Sequence, residues 1–293
     1  MLTIPPEELR TRLLNKLADW KMLPEVAVRA LAMARDPDCS IKEFSSVVER
    51  DSKLAFEILR IANSAAHATR VPIVVLRQAV TRLGLAHCRN VILAASLGSA
   101  LQRLTLSEAW MQSALWRHSV LTGLIATEIN QQFKLGFIGE EFTAGLIHDV
   151  GRSLLAVIAP NHFAEADPLD FVEEGSFLSQ ERVILRTDHC ELGAWFLAYS
   201  NLPEVLVTVV GNHHAPAAAE EHQMLVALTA VADHMANFVQ RTGTADGYAP
   251  EDNKAMEILF TESRRAAFAR SVHDILSDAI KEANSPSWKL GRQ

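Results

Sequence analysis

The chain has 293 residues, 49% of them apolar and 22% charged, and carries a formal net charge of −7. That length supports one large or two ordinary domains with ample core, and the composition is that of a globular protein. An acidic balance without any Lys/Arg-rich run argues against a nucleic-acid partner, and no stretch reaches the roughly 18–20 uninterrupted apolar residues of a membrane helix.

Cys39, Cys88 and Cys190 are scattered without metal-site spacing, and an odd, sparse count suits a reducing cytoplasm better than a disulfide framework. Met1 leads into Pro5-Pro6 and a charged amphipathic segment, which is not the pattern of a secretory signal. The expected location is therefore cytoplasmic, with no membrane association.

Nearly every segment has helical period and helical punctuation. Pro5-Pro6 open a first helix through Trp20, with Leu9, Leu13, Leu14 and Leu17 on one stripe. Leu23-Pro24 restart the chain into a helix that runs to about Arg35 before Asp36-Pro37. Ser40 and Glu43 have the spacing of a capping box, and Asp51 can cap a fourth helix through Asn63. After a loop at Thr69–Pro72, a helix ends at Gly84, and Leu85–Leu101 is long, apolar and expected to be buried on most sides. Thr105 and Glu108 read as a second capping box before a long helix with Trp110, Trp116 and His118.

Further on, Glu140–His148 is a short helix, Arg152–Ala159 another until Pro160, and Asp167–Gly175 an irregular linker. Three short helices are expected at Phe177–Arg186, Asp188–Tyr199 and Pro203–His213, then a long one at Gln223–Gln240. A Gly/Thr/Asp loop at Thr242–Pro250 precedes helices near Glu251–Phe260 and Glu262–Ala283 and a polar, frayed tail. No hairpin signature or sustained alternation is present. The expected fold is all-α: an N-terminal helical bundle over 1–104, a helical core over 105–241 and a C-terminal helical extension over 242–293.

The chemistry sits in a series of ligand-type residues in or at the ends of helical segments: His118, then His148-Asp149, His189, His213-His214 and Asp233. Adjacent helical residues point about 100° apart, so the two paired sets can share a pocket only near a helix end. Both do lie there, since Gly151 follows one and Pro216 the other. Imidazoles and carboxylates suit Zn, Fe, Mn or Ni, and these seven residues are enough for one or two divalent ions with Asp149 as a bridge. A pair of ions about 4 Å apart suits phosphoester hydrolysis. Asp149 and Arg152 are then the candidate catalytic pair, Arg152 holding a phosphate by its fork of donors.

Each residue also has a plainer reading. His118 alone is an ordinary hydrogen-bonded helix residue, Asp188 caps a helix as well as any Asp, and His213-His214 suit an exposed helix C-terminus. Asp233 on an apolar helix face is harder to dismiss, because a buried carboxylate needs a partner. His67, His87, His162, His222, His234 and His273 read as structural or surface residues. Cys190 reads as a small packed side chain, and Trp110, Trp116 and Trp195 as core.

The local sequence around these residues resembles the HDOD family of bacterial signalling, the HD-related output domains. The resemblance covers about residues 22–240. It is carried by Leu23-Pro24, the 34–40 and 59–64 stretches, the 79–84 stretch ending at Gly84, and Trp116-Arg117-His118-Ser119. The 144–151 stretch around His148-Asp149, Glu181-Arg182, the 188–193 stretch, Leu202-Pro203 and the 213–216 stretch complete it. The resemblance implies an N-terminal bundle packed on an HD-type metal-phosphohydrolase core. It carries the metal-ligand role onto His118, His148, Asp149, His189, His213, His214 and Asp233. The related HD-GYP phosphodiesterases cleave cyclic dinucleotides, but their Gly-Tyr-Pro element is replaced here by Ala215-Pro216-Ala217. Arg152 stands where that pattern has lysine, and Ala114 where some relatives have a carboxylate. Cyclic-dinucleotide cleavage therefore does not carry over. The expected function is a signalling output module with a mono- or binuclear metal site that binds a phosphorylated small molecule, a nucleotide or a signalling protein. The alternatives are a working metal-dependent phosphohydrolase and a metal-free adaptor.

Overall fold

Helix punctuation written in the sequence sets the first elements. In the structure, a computed structural model describing residues 5–18, 22–34, 36, 38–64, 71–172, 177–285 and 288, the described residues contain helices and no strand. α1 (Glu7–Lys16) and α2 (Glu25–Met33) follow Pro6 and Pro24; their expected ends at Trp20 and Arg35 lie outside the described residues. The Ser40/Glu43 capping box forms at the start of α3 (Ile41–Val48), with Glu43 N–H donating to Ser40 Oγ at 3.2 Å. Asp51 accepts from the Lys53 and Leu54 amides and opens α4 (Ser52–Ala62). α5 (Leu76–Leu83) ends at Gly84, whose φ of +82° is a conformation glycine adopts without penalty.

α6 (Leu85–Arg103) then crosses the molecule. Buried apolar residues form two clusters, and Leu93 belongs to the smaller one, built from residues between Ala27 and Leu93, while Leu97 belongs to the larger. α1 packs its Leu13 into the larger cluster, and Lys16 Nζ donates to the Val157 carbonyl at 2.7 Å.

The second expected capping box does not form. α7 (Ala109–Phe133) starts after Glu108 with no side-chain cap bond, because the connection buries Leu104 and Leu106 and thereby turns Thr105 to solvent. Gln112 Nε2 instead donates to the Gln102 and Leu104 carbonyls and closes the end of α6. α8 (Glu140–Ile147) and α9 (Val150–Ile158) follow. Pro160 does not only stop α9: it is the first residue of α10 (Pro160–Ala166), where its missing N–H has no partner to lose. α11 (Phe177–Leu185), α12 (His189–Tyr199), α13 (Glu204–Asn212) and α14 (Gln223–Thr242) complete the core. α15 (Met256–Leu259) and α16 (Glu262–Ala283) lie beyond it, α16 burying Phe268, Ile275 and Leu276.

The tail was expected to fray, yet Trp288 is seated. Its carbonyl accepts from Trp116 Nε1 at 2.7 Å, and its ring lies 5.3 Å from Phe142 and under the Arg60 guanidinium. Among the described residues no helix is long and apolar enough to cross a membrane.

Two glycine contacts fix how the core helices meet. A Cβ on Gly145 of α8 would stand 2.6 Å from the Gly123 amide nitrogen of α7, so these helices touch backbone to backbone. A Cβ on Gly151 would land on the His189 carbonyl, locking the start of α9 to the start of α12. Gly151→Ala is therefore expected to lower stability by more than the roughly 1–3 kcal/mol of ordinary overpacking. Gly211→Ala, whose new Cβ meets only Ala194 Cβ at 3.4 Å, serves as the control and is expected to melt at or above the wild-type temperature. Thermal denaturation followed by circular dichroism compares the two.

Candidate metal centre

Every ligand-type residue of the series comes from a helix start, a helix end or one buried helix face. α7 delivers His118 and α14 delivers Asp233. His148 and Asp149 occupy the junction between α8 and α9, where Asp149 leaves the helical conformation (φ −97°, ψ 18°). That break lets two neighbouring side chains point into one space, which a continuous helix would forbid. His189 is the first residue of α12, and His213-His214 directly follow α13.

All seven side chains converge. His118 Nε2 lies 3.2 Å from His148 Nε2 and 3.0 Å from Asp233 Oδ1, and His148 Nε2 lies 3.4 Å from the same oxygen. On the other side, His189 Nε2 is 3.3 Å from His213 Nε2 and 3.1 Å from His214 Nε2. Asp149 stands between the two groups. Its Oδ2 is 3.5 Å from both His118 and His148, while its Oδ1 is 3.4 Å from His189 and 3.5 Å from His213.

The far nitrogens dictate what the near ones can do. His148 Nδ1 donates to the Gly145 carbonyl at 2.8 Å, and His213 Nδ1 to the Val210 carbonyl at 3.0 Å. His189 Nδ1 is 2.9 Å from the buried Glu181 carboxylate. A carbonyl cannot donate, so the proton is on Nδ1 and a neutral ring turns its Nε2 lone pair inward. As neutral rings, His189 and His213 would thus face each other with acceptors, beside an Asp149 Oδ1 that has no hydrogen-bond donor. A cation between these groups, a proton or a metal ion, reconciles them. The nitrogen and oxygen donor set fits a divalent transition metal of the Zn, Fe, Mn or Ni type.

Charge within the centre is strongly coupled. Burial alone would push the carboxyls up, but His148 and the Arg152 guanidinium hold Asp149 well below the usual carboxylate range, and His148 and His118 do the same for Asp233. Burial drives His118 down, and burial with the neighbouring His213 and His189 drives His214 well down. His189 and His213 go the other way despite burial, raised by Cys190 with Glu181 in the first case and Cys190 with Asp149 in the second.

The surrounding shell corrects one expectation. Arg152 does not present its fork to a phosphate. It is fully buried, with Nε and Nη2 on the two oxygens of Asp167 at 2.7 and 2.9 Å and Nη1 on Asp149 Oδ2 at 2.9 Å. It is a positioning residue for Asp149. Asp167, Glu181 and Asn237 were not singled out as site residues from the sequence. Asn237 Nδ2 donates to Asp233 Oδ1 at 3.1 Å, a spacing of four on α14 that could have flagged it. Asp167 lies fifteen residues from Arg152 across a helix that the sequence reading missed.

The plainer readings also hold in places. Asp188 caps α12, accepting from the Glu191 amide at 2.8 Å, while the next residue enters the centre. His234 donates to or accepts from Tyr248 Oη at 2.8 Å, outside the cluster, and His67 lies outside the described residues. Cys190 Sγ is 3.9 Å from both ring nitrogens of His213. Its thiol belongs with His189, His213 and His214 to a group that could hold a metal ion, and His189 and His213 lower its pKa to about 7 despite burial, which departs from the expected inert packed side chain.

A family model for the HDOD domain matches residues 21–216. An uncharacterized protein of Treponema pallidum (strain Nichols) is 22% identical over 254 residues, covering 86% of this chain and 48% of its own length. The chain therefore spans about half the length of that curated relative. Among solved structures, an HDOD domain protein of unknown function from Geobacter sulfurreducens is 23% identical with a TM-score of 0.67, covering 94% of this chain and 98% of its own. A candidate phosphohydrolase from Shewanella amazonensis SB2B is 20% identical, with a TM-score of 0.64 and the same coverages. A candidate metal-dependent phosphohydrolase from the same organism is 21% identical, with a TM-score of 0.60 and coverages of 95% and 98%. At these identities the likeness establishes a shared fold.

Asp167→Ala is expected to cost about 3–5 kcal/mol, because it leaves two guanidinium donors buried without an acceptor. Arg152→Lys is expected not to preserve stability, since a point charge cannot bridge Asp149 and Asp167 as a fork does. Urea unfolding measures both, and a loss below about 1 kcal/mol in either, the level of an exposed ion pair, would contradict the assignment.

Proposed function

The chain belongs to the HDOD domain family, and from that premise we propose that it is a signal-transduction output module organised around a divalent-metal centre. In this reading it binds a phosphorylated small molecule or a signalling protein and passes the bound state on. One observation carries it: each carboxylate oxygen of Asp149 faces a different set of imidazoles. His118, His148 and Asp233 would hold one ion, and His189, His213 and His214 a second, with Asp149 between them.

When bound, such ions supply a Lewis acid for phosphoryl oxygens and lower the pKa of a coordinated water. The chain's own groups prepare the site. Arg152 fixes the Asp149 carboxylate, Glu181 orients the His189 ring, and Asn237 holds Asp233. Carboxylates behind imidazoles make the rings better donors and set their orientation.

Hydrolysis is the second reading, supported by the same donor set and by relatives of this fold named as candidate phosphohydrolases. The engagement of Arg152 weighs against it, because the nearest guanidinium is committed to Asp167 and not offered to a substrate.

Protein loaded with Mn or Fe is to be screened against phosphomonoesters, nucleotides and cyclic dinucleotides, following melting temperature and phosphate release together. The expected result is a raised melting temperature with at least one phosphorylated ligand and no turnover. That shift should vanish in the His148→Ala, Asp149→Ala double variant. Metal-dependent phosphate release by the wild type would establish hydrolysis instead, and neither signal from fully loaded protein would sink hydrolysis and small-molecule binding and leave a signalling protein as the ligand.

A further inference from the structure

The ligand-bearing side chains sit on helices or at their ends, but Phe171 belongs to no helix. It lies in the Asp167–Val172 connection and sets its ring 5.1 Å from the His118 ring and 5.3 Å from the Arg152 guanidinium. Along this strap the residues alternate. Asp167, Leu169 and Phe171 are buried, while Pro168, Asp170 and Val172 face solvent. The strap therefore turns one side toward the His118 side of the centre and the other to solvent.

Its backbone is held in an unfavourable state. Leu169 has φ of +53° and Phe171 of +57°, in the left-handed region that bulky side chains rarely adopt. Such residues persist only where surrounding contacts over-determine them, and they concentrate at ligand clamps and switches. Three hydrogen bonds do so here, one of them from the Val172 amide to Asp170 Oδ1 at 2.9 Å. Asp167, fixed by Arg152, accepts from the Leu169 amide at 2.9 Å, and Arg241 donates to the Phe171 carbonyl. Asp167 is a buried anchor, whereas Arg241 is an exposed residue near the end of α14.

We propose that the Asp167–Val172 strap is the gate of the metal centre, with Phe171 as its plug and Arg241 as its latch. The proposal rests on the reading of the seven-residue cluster as a ligand-binding metal site. In the conformation seen, the plug covers His118. A phosphorylated ligand reaches the centre when the ring swings outward, hinged at Asp167, and relaxes the two left-handed residues. Opening also releases the Arg241 donors from the Phe171 carbonyl, leaving a cation at the mouth for an anionic ligand.

The test compares wild type with Phe171→Ala, Arg241→Ala and Val172→Ala, each first shown to melt cooperatively. Metal-free protein is treated with diethyl pyrocarbonate, and modification of His118 is followed by peptide mass spectrometry. Zinc-loaded protein is challenged with EDTA, and retained zinc is followed over time. Phe171→Ala and Arg241→Ala are expected to modify His118 and to lose zinc at least about tenfold faster, the size of a modest shift in a local opening equilibrium, with Val172→Ala unchanged. His118 modification within about twofold of wild type in both variants would overturn the gate, being smaller than any useful shift of that equilibrium. Acceleration in Phe171→Ala alone would keep the plug and remove the latch. Faster His118 modification in protein that takes up no zinc would keep the gate and remove the metal reading, so the two fail separately.

Discussion

The structure turns on one buried carboxylate. Asp149 is inside the protein, and a charge there survives only with compensating partners. Arg152 supplies one on Oδ2, and the imidazoles of four different segments surround both oxygens. Much of the core's packing follows from bringing those segments to it. Gly123 and Gly145 let α7 and α8 meet closely enough to join His118 with His148. Gly151 lets α9 touch the start of α12, which brings His189 within reach of Asp149.

Helical geometry explains why most of the candidate ligands cluster at element ends. A continuous helix turns adjacent side chains about 100° apart, so neighbouring ligands need a break between or beside them. The α8–α9 junction provides it for His148 and Asp149, and the end of α13 provides it for His213 and His214. Asp233 and His118 need no break because each is the single ligand of its helix. Their helices, α14 and α7, are long and packed together.

Much of this was legible in the sequence, for identifiable reasons. Local rules are visible locally. The Ser40 box, the Asp51 cap and the Gly84 stop depend on residues four or fewer apart, and they form as read. The series of His and Asp residues in or at the ends of otherwise apolar helices, together with the family resemblance, pointed to the seven side chains that converge. What escaped depended on distant partners. Thr105 has the right neighbour for a cap, but burying Leu104 and Leu106 outweighs that single bond. Arg152 looked like a hydrogen-bond donor to a phosphate until Asp167 came into position across α10, a helix hidden by reading Pro160 only as a stop. Trp288 looked like part of a polar tail because its partners, Trp116, Phe142 and Arg60, are remote in the chain.

The most direct test of the account is the metal content of protein purified without chelators or a histidine tag, measured by elemental mass spectrometry. With the two groups of imidazoles on either side of Asp149 read as metal sites, the account predicts one or two transition-metal equivalents per chain. Protein that holds none, even after reconstitution with Fe, Mn and Zn, would contradict it. The cluster would then be a protonated hydrogen-bond network at the heart of an interaction module.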